Sequence, residues 1–418
     1  MRLLLGTDQF IRHERRVALT PEQVQRLYRD LASVGVEVDT TVASKAGARA
    51  EPPFTDQQYE DAGARIVPVD ELVRQAPFDV VHSLKEPTEY EATLPGPFLR
   101  IGALHLPSYP EGVCSMLRSR NFAAILDGAV VGNCSYHLSG GDRTPIVASM
   151  SRFAGAVSGR RVTEGTLARG LKPGKVVVVG GGVAGRAAIG EMRDQAARLI
   201  VIEPWEPMRR KLETKLPALG FDRDRYEIRE NLDDKVFVDA IGIVFAHRTA
   251  ARAAEKVCDE TQIRRMTRGA VIADIAIDQG GSIRHEGYDE ADPADVARRK
   301  YIELFAGDYF YYGEVNMPRE EPRLASIHHG MASLPYITLL LSRCARLGGP
   351  RSVASRLLEM TPKIHGPDEP VQLDLVSAME QDLRNGILLA VVDGDAVITD
   401  ADVESDPVLR DWVQSCAS

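Results

Sequence analysis

The fold is decided by the stretch Lys175-Val176-Val177-Val178-Val179-Gly180-Gly181-Gly182-Val183-Ala184-Gly185. The four valines predict a buried parallel strand, and the glycines predict a tight turn into a helix that continues through Arg186–Arg193. A second strand, Leu199–Ile202, then ends at Glu203, about 20 residues past the turn. This order of strand, turn, helix, strand and acid predicts a Rossmann domain.

Each part of this fingerprint has a role in holding a dinucleotide. Gly180 permits the tight turn, Gly182 lets a pyrophosphate approach the backbone, and Gly185 allows the helix to pack closely on the strand. The helix N-terminus offers unpaired N–H groups to the phosphates. Glu203 can accept hydrogen bonds from the adenosine ribose and would repel a 2′-phosphate, so we expect NAD rather than NADP as cofactor.

Two alternatives to this interpretation stay open. A glycine-rich turn can bind nothing, although the surrounding pattern argues against that here. Arg209 and Arg210 follow Glu203 closely and could accommodate the 2′-phosphate of NADP, but we expect them to lie on the next helix.

The composition describes an ordinary globular chain. Its 418 residues predict two domains, and 51 Lys+Arg against 60 Asp+Glu give a formal net charge of −9. An acidic chain without a long basic run argues against nucleic acid as a partner. We therefore expect a small-molecule ligand instead.

The cysteines are odd in number, five in all, and no pair has C-x-x-C spacing. This pattern favours reduced thiols over a disulfide framework or a zinc site. The histidines His285 and His328-His329 also lack metal-ligand spacing, so we expect no metal. No apolar signal segment or run of about 20 apolar residues is evident. The expectation is a soluble, cytoplasmic protein without a membrane role.

Before the fingerprint, short apolar runs alternate with helical ones. Arg2–Leu5, Val34–Val38, Val80–Leu84 and Leu99–Leu104 read as strands, and Thr20-Pro21-Glu22 reads as a capped helix start. Strands that alternate with helices predict βαβ units and a mostly parallel sheet.

The domain order follows from the later segments. A long connecting helix is predicted from Thr144 to about Ala168, with glycines inside it, and the tail Leu388–Ile398 reads as a hairpin. We predict an α/β protein with two doubly wound parallel-sheet domains. Residues 145–305 form the Rossmann NAD-binding domain, which is inserted into a substrate and catalytic domain made of residues 1–144 and 306–418.

Several further stretches together resemble the alanine dehydrogenase family, which is related to the NAD-binding subunit of transhydrogenase. The similarity extends from about residue 6 to about residue 340. Besides the glycine fingerprint, it is carried by Glu14–Pro21, Leu84–Pro87, Leu104–Leu106, Asp274–Gly281 and Val315–Pro318.

The resemblance implies roles for particular residues. Arg16 and Lys85 would bind the substrate carboxylate and carbonyl oxygen, His105 would be the general acid and base, and Asp278 would be the second catalytic group. Alternatively, Arg16 is an ordinary surface ion-pair residue, Lys85 a solvated lysine, His105 a structural histidine, and Asp278 a turn former. Further positions match cofactor contacts: Ser151, Val183, Ala184, Glu203, Ile275, Asn316 and Met317.

These residue types suit oxidative deamination, in which a hydride leaves Cα and water attacks the resulting iminium. A guanidinium binds a carboxylate in bidentate fashion, and an ammonium stabilises charge on the carbonyl oxygen. Histidine titrates near neutral pH and can move protons, while a carboxylate can orient water or ammonia. We therefore predict an NAD-dependent amino-acid dehydrogenase, working as a homo-oligomer, with alanine, pyruvate and ammonia as the default substrates.

Three segments depart from the family pattern. Leu126-Asp127 stands where the family tends to carry Tyr-Glu, Ala246–Thr249 replaces a Val-Pro-Gly-type loop, and Ser326–Met331 replaces an Asn-bearing stretch. Two alternatives therefore remain: a related NAD(P)-dependent enzyme of specialised metabolism that acts on a different amino or imino acid, and a non-catalytic NAD-binding module.

Overall fold

The structure is a computed structural model of the whole chain. The residues it describes are 1–6, 8, 14–46, 48, 51–85, 88–102, 123–126, 135–137, 143–247, 255–279, 281–284, 302–304, 308–314, 316–361, 375–385, 387–392, 395–398, 407, 410 and 411.

Strands and helices alternate along the described part of the chain. The strands are β1 (Arg2–Leu5), β2 (Asp39–Ala43), β3 (Arg65–Val67), β4 (Val80–His82), β5 (Phe98–Ile101), β6 (Ala123–Leu126), β7 (Ser135–His137), β8 (Arg143–Pro145), β9 (Gly174–Val179), β10 (Ala196–Ile202), β11 (Tyr226–Arg229), β12 (Ala240–Phe245), β13 (Cys258–Asp259), β14 (Val271–Asp274), β15 (Ile283–Arg284), β16 (Ile302–Leu304), β17 (Tyr309–Tyr312), β18 (Ile387–Val392) and β19 (Asp395–Ile398).

The helices connect these strands. They are α1 (Pro21–Ala32), α2 (Asp56–Asp61), α3 (Leu72–Gln75), α4 (Glu89–Ala92), α5 (Ile146–Ala168), α6 (Val183–Met192), α7 (Glu206–Ala218), α8 (Asp234–Phe237), α9 (Glu260–Ile263), α10 (Pro322–Leu347), α11 (Pro350–Glu359) and α12 (Leu375–Asn385), with 3₁₀ turns at Val69–Glu71, Arg223–Arg225, Ile275–Gln279 and Met317–Glu320.

The chain forms two compact units. The first contains Met1–Ser149 and Glu321–Ser418, and the second contains Met150–Glu320. The sheet of the first unit has the strand order β19-β18-β6-β5-β4-β1-β2-β3, and that of the second has the order β11-β10-β9-β12-β14-β17-β16. Most neighbours in both sheets are parallel, with antiparallel strands at one edge of each. The predicted α/β class with two doubly wound sheets is confirmed.

The second sheet is buried on both faces. Val176 and Val178 belong to one apolar core and Val177 and Val179 to another. Side chains alternate between the faces of a strand, so a continuous valine run is what a sheet covered by helices on both sides requires.

Predictions in the first unit had mixed outcomes. The strand Arg2–Leu5 is confirmed, and α1 begins as expected, with the Thr20 hydroxyl accepting the Gln23 N–H in a capping box. The predicted strand Val34–Val38 is wrong, because the chain leaves α1 through a turn in which Gly35 has φ +74°. The strand that pairs with β1 is instead Asp39–Ala43.

Two predictions for later segments agree with the structure. A long helix, α5, does follow Pro145. Its glycines do not interrupt it, and two of them lie where α6 packs closely against it. A Cβ on Gly155 would lie 2.0 Å from the Ala184 carbonyl oxygen, and one on Gly159 would lie 2.4 Å from that of Ala188. The tail hairpin is confirmed as β18 and β19, and β18 joins the first sheet through β6.

Candidate functional site

The glycine loop joins β9 to α6 in the second unit. Gly180 has φ +101°, and a Cβ there would lie 2.5 Å from the Ala246 carbonyl oxygen. A Cβ on Gly185 would lie 1.8 Å from the Gly180 carbonyl oxygen, whereas one on Gly182 would meet nothing within 4 Å. The first and last glycines are thus required by the backbone, and the middle one leaves open space for a ligand.

The N-terminus of α6 suits an anion. Gly182 is its N-cap, no side chain caps its N–H groups, and its first turn carries no acidic residue. A capping side chain can satisfy these donors, as Thr20 does for α1. The uncapped end therefore presents N–H groups and a partial positive charge to a pyrophosphate.

Glu203 closes the other side of the loop. Its Oε2 accepts the Gly181 N–H at 2.8 Å and its Oε1 accepts the Trp205 N–H at 3.0 Å, with only 9% of the residue exposed. The carboxylate is therefore held at the end of β10, where a dinucleotide places its adenosine ribose.

Arg209 and Arg210 lie on α7, as expected. The Arg209 guanidinium donates to the Glu203 carbonyl oxygen at 3.0 Å and forms an ion pair with Glu230 at 3.3 Å. Arg210 forms an ion pair with Glu206 on its own helix. Arg209 is thus turned towards the end of β10, and Arg210 lies in an exposed pair on its own helix, so both guanidinium groups already have carboxylate partners, which disfavours the NADP alternative.

The other proposed cofactor contacts follow strands of the same parallel sheet. Ile275 comes directly after β14, and Asn316, with φ +65°, comes shortly after β17. Because the carboxyl ends of parallel strands share one edge, these residues lie at the edge that carries the glycine loop. Met317 is buried, and its sulfur accepts a hydrogen bond from the Ser158 hydroxyl at 2.9 Å.

The remaining positions lie on helices near the loop. Val183 and Ala184 form the first turn of α6 and are half-buried, and Ser151 is a half-buried residue of α5. Since Gly155 lets α5 approach Ala184 closely, α5 packs on the first turn of α6.

Asp274 is a buried acid of the second unit to which the sequence pattern assigns no individual role. It is fully buried and accepts hydrogen bonds from the Ser282 N–H at 2.6 Å, the Ser282 hydroxyl at 2.9 Å and the Tyr311 hydroxyl at 2.9 Å. Burial raises the pKa of its carboxyl, and these donors oppose the rise. Its side chain fixes the loop that contains Asp278. The feature of the sequence that could have identified Asp274 is an acidic residue at the end of an otherwise apolar strand, Val271–Asp274.

Arg16, in the first unit, is held by Glu14. Its Nε and Nη2 donate to the two Glu14 carboxylate oxygens at 2.9 and 2.8 Å, and Arg16 is only 3% exposed. Burial alone would raise the pKa of Glu14, but the Arg16 charge and hydrogen bonds, helped by the Lys85 charge, lower it to about 2. The pair is therefore buried, and Arg16 is not the surface ion-pair residue of the alternative interpretation.

Lys85 is held through its backbone. Its N–H donates to the Asp8 carboxylate at 3.0 Å, and its carbonyl oxygen accepts from Arg100 Nη2. The Asp8 carboxylate also accepts the Leu84 N–H at 2.9 Å. The side chain of Lys85 itself is half-buried.

Arg100 is in turn fixed by buried partners. Its Nε donates to Glu91 at 2.8 Å and its Nη2 to the Ser83 hydroxyl at 3.1 Å, and that hydroxyl donates to Glu91 at 2.9 Å. These three residues and Asp8 are at most 1% exposed. We call Asp8, Ser83, Glu91 and Arg100 the Lys85 clamp, because Asp8 and Arg100 hydrogen-bond to the backbone of Lys85 while Ser83 and Glu91 hold Arg100.

The other two predicted catalytic residues are His105 and Asp278. His105 lies outside the described residues, and Asp278 is described only as a backbone position in the 3₁₀ turn Ile275–Gln279. Arg16 and Lys85 lie in the same unit, where both charges act on the Glu14 carboxylate.

The comparison with family models decides the relationship. The model described as Alanine dehydrogenase/PNT, N-terminal domain, matches residues 10–154, and the corresponding C-terminal domain model matches residues 147–348. The chain belongs to the alanine dehydrogenase/PNT family. The family match covers the glycine loop, Arg16 and Lys85.

Individual members of the family are similar at moderate identity. Alanine dehydrogenase of Staphylococcus saprophyticus is 28% identical over 358 residues, 82% of this chain and 88% of that protein. Alanine dehydrogenase 2 of Staphylococcus aureus is 28% identical over 350 residues, 79% of this chain and 85% of that protein.

Solved structures share the fold. An L-alanine dehydrogenase aligns over 100% of both chains with a TM-score of 0.67 and 21% identity. A transhydrogenase from Sinorhizobium meliloti aligns over 82% of this chain and 95% of its own, with a TM-score of 0.61 and 19% identity. Within the described residues, no helix is both long and apolar enough to cross a membrane.

Proposed function

We propose that this protein catalyses the reversible NAD-dependent oxidative deamination of a small L-amino acid, with alanine, pyruvate and ammonia as the first substrates to test. Membership of the alanine dehydrogenase/PNT family makes it an NAD-dependent oxidoreductase that acts on a CH–NH2 group. The observation that carries the proposal is the buried Arg16–Glu14 pair together with the Lys85 clamp, because the first orients the Arg16 guanidinium and the second anchors the backbone of Lys85 in the same unit.

The residues divide the chemistry as follows. Arg16 binds the carboxylate, and its guanidinium is oriented by the hydrogen bonds that Nε and Nη2 donate to Glu14. Lys85 stabilises the oxygen of the carbinolamine or of the 2-oxo acid. His105 moves the protons, and Asp278 orients the attacking water or ammonia.

The cofactor-binding residues fit NAD. Backbone N–H groups at Gly182, Val183 and Ala184 would hold the pyrophosphate, and Glu203 would bind the ribose hydroxyls. When bound, NAD accepts the hydride from Cα. The open space at Gly182 supports this assignment, because a dinucleotide needs close contact with the backbone there.

We propose the same division of labour for the domains. Residues 145–305 bind NAD, and residues 1–144 and 306–418 bind the amino acid. The two compact units of the chain support a division into two parts, but the second unit extends to Glu320 and so includes β17, Asn316 and Met317. We further propose that the protein works in the cytoplasm as a homo-oligomer.

The test is the loss of NADH absorbance with pyruvate and ammonia, followed by a panel of small 2-oxo acids. Lys85→Met should abolish turnover while NADH fluorescence still reports binding, and His105→Ala should do the same. Lys172→Met is the control, because Lys172 is exposed. NADH binding without turnover of any acid would support a non-catalytic NAD-binding module instead.

A second candidate is a dehydrogenase for a different amino or imino acid. It is favoured by a buried histidine, His329, in the stretch that departs from the family pattern. The substrate panel separates this candidate from an alanine-specific enzyme.

A further inference from the structure

A stripe of polar residues lies along one face of α10. Ser326, His329 and Ser333 are spaced three and four residues apart, which places them on the same side of the helix. They are 0%, 3% and 1% exposed. A buried helix face normally carries apolar residues, so each of these polar groups requires a partner.

The two serines have partners. The Ser326 hydroxyl donates to the Pro322 carbonyl oxygen at 2.6 Å and accepts the Val17 N–H at 2.9 Å. The Ser333 hydroxyl pairs with His82 Nε2 at 3.2 Å. The stripe therefore packs against the segment that contains Arg16, since Val17 is the next residue in the chain.

His329, between the two serines, is different. Among the described residues, neither Nδ1 nor Nε2 of its ring has a hydrogen-bond partner, and both atoms are buried. Its ring stacks on that of His82 at 5.5 Å between centroids and 17° between planes. His82 has both ring nitrogens paired, with the Ile101 carbonyl oxygen and Ser333. His329 alone in this stack is left with unused hydrogen-bonding capacity.

The surroundings keep the His329 ring neutral. Burial, then the neighbouring His82 and the Arg16 guanidinium, lower the pKa of His329 well below its usual value. A neutral imidazole offers one N–H donor and one acceptor.

An unpartnered buried polar group costs about 1–3 kcal/mol, and an apolar side chain of similar shape would avoid that cost. A histidine is therefore expected at this position only if something other than the described protein atoms provides its partner. Arg16, the proposed binder of the substrate carboxylate, lies in the segment against which this helix face packs.

We propose that His329 donates a hydrogen bond to a carboxylate of the substrate beside Arg16, an inference that rests on the proposed function. The carboxylate has two sources. One is the α-carboxylate, which every amino acid and 2-oxo acid carries, and the other is the side-chain carboxylate of an acidic amino acid. Both sources present the same chemistry to the imidazole.

The variants for the test are His329→Phe, which keeps a flat ring on His82 but removes both nitrogens, and His329→Gln, which keeps an N–H donor. His328→Phe is the matched control, since His328 is the exposed preceding residue of the same helix. KM and kcat are measured for pyruvate, oxaloacetate and 2-oxoglutarate with NADH and ammonia. Calorimetric titration with oxamate and with 2-oxoglutarate, in the presence of NADH and without ammonia, measures binding independently of turnover.

In His329→Phe we expect KM and the dissociation constants to rise about 10- to 100-fold, the range for a hydrogen bond to a charged group, with kcat little changed. His329→Gln should recover part of the affinity. If KM and the dissociation constant rise for every acid, His329 binds the α-carboxylate. If they rise only for oxaloacetate and 2-oxoglutarate, His329 binds a side-chain carboxylate. The melting temperature of His329→Phe should be unchanged or higher, because the cost of the buried nitrogens is removed.

Other results overturn the inference. Unchanged KM and dissociation constants in His329→Phe, with or without a lower melting temperature, would assign His329 a structural role. If the wild-type protein turns over no acid but the variant binds oxamate or 2-oxoglutarate more weakly, the proposed function fails and the role of His329 stands. A wild-type protein that binds none of the acids overturns both.

Discussion

At the scale of single residues, the proposed amino-acid site depends on buried charges rather than exposed ones. Arg100 and Glu91 form an ion pair with side chains 0% and 1% exposed, and the arginine also reaches the Lys85 carbonyl oxygen. Removing one member of a buried pair leaves the other charge uncompensated. The clamp should therefore matter for both stability and substrate binding.

We expect Arg100→Leu to lower the free energy of unfolding by about 3–5 kcal/mol, because Glu91 loses its buried partner. Arg100→Lys keeps the charge but not the planar fork, so it should fold and show a raised KM for the 2-oxo acid. Arg65→Leu is the control, since Arg65 pairs with Asp39 at 2.7 Å with both side chains exposed and should cost about 0–1 kcal/mol. Chemical denaturation and steady-state kinetics provide the measurements. Equal losses in the Arg100 and Arg65 variants would contradict the role of the clamp.

A second residue-scale prediction concerns cofactor choice. Glu203→Gln removes the negative charge next to the ribose site but keeps an oxygen that can accept the Gly181 N–H. The ratio of NADPH to NADH affinity should rise about tenfold or more, because a 2′-phosphate is no longer repelled. Fluorescence titration with both nucleotides measures the ratio. Glu191→Gln, at the opposite end of α6, should leave it unchanged, and an unchanged ratio in Glu203→Gln as well would remove Glu203 from cofactor selection.

Glu203 can be identified from the sequence, whereas the clamp residues cannot. Glu203 is recognisable because its spacing from the glycines is set by one βαβ unit. Asp8, Glu91 and Arg100 have no such spacing, since they meet only after β1, β4 and β5 pair in parallel. A residue whose partner is chosen by sheet pairing carries no local sequence signal.

At the scale of elements, α6 offers a direct test of the glycine loop. Gly185→Ala would place a Cβ against the Gly180 carbonyl oxygen, whereas Gly190→Ala, on the same helix, would meet nothing within 4 Å. We expect the first change to cost about 1–3 kcal/mol and to abolish NADH binding. The second should preserve binding and stabilise the protein by about 0.5–1 kcal/mol. Normal NADH binding by Gly185→Ala would show that the loop does not hold the cofactor.

The element predictions failed where tertiary pairing overrides local preference. Val34–Val38 has the alternation of a strand, yet Val34 is 46% exposed and Gly35 forms the turn after α1. The register pairs Arg2 with Asp39, so the less apolar segment Asp39–Ala43 becomes the strand. By contrast, the valines of β9 are buried on both faces, and for such a strand the sequence pattern and the fold agree.

At the scale of the whole molecule, net charge says little about the ligands. The chain carries a formal charge of −9, while the groups proposed to meet anions are Arg16, Lys85 and the N-terminus of α6. The surroundings of each ionisable group affect its charge more than the net charge of the chain does, because burial and nearby partners shift individual pKa values in opposite directions. Glu14 is shifted down and Asp8 up within the same unit.

Asp8 should therefore make stability depend on pH. Burial, then the neighbouring Glu91 and Glu14 carboxylates, raise its pKa from 3.8 to about 7, against the hydrogen bonds from Leu84 and Lys85. Between these values the folded protein holds a proton that the unfolded chain has released. The corresponding stability is present below pH 4 and is lost as the pH rises to 7.

Asp8→Asn keeps an oxygen for the Leu84 and Lys85 N–H groups but cannot ionise. Its unfolding free energy relative to wild type should rise between pH 4 and 7, by at most about 1.4 kcal/mol per pH unit, and level off above pH 7. His82, whose pKa burial lowers to about 4, and His329 act in the opposite direction, since the unfolded chain protonates them first as the pH falls below 6.5. Both histidines are present in both proteins, so the difference isolates Asp8. Urea unfolding at each pH measures it, and a difference that stays constant from pH 4 to 8 would show that Asp8 is ionised throughout.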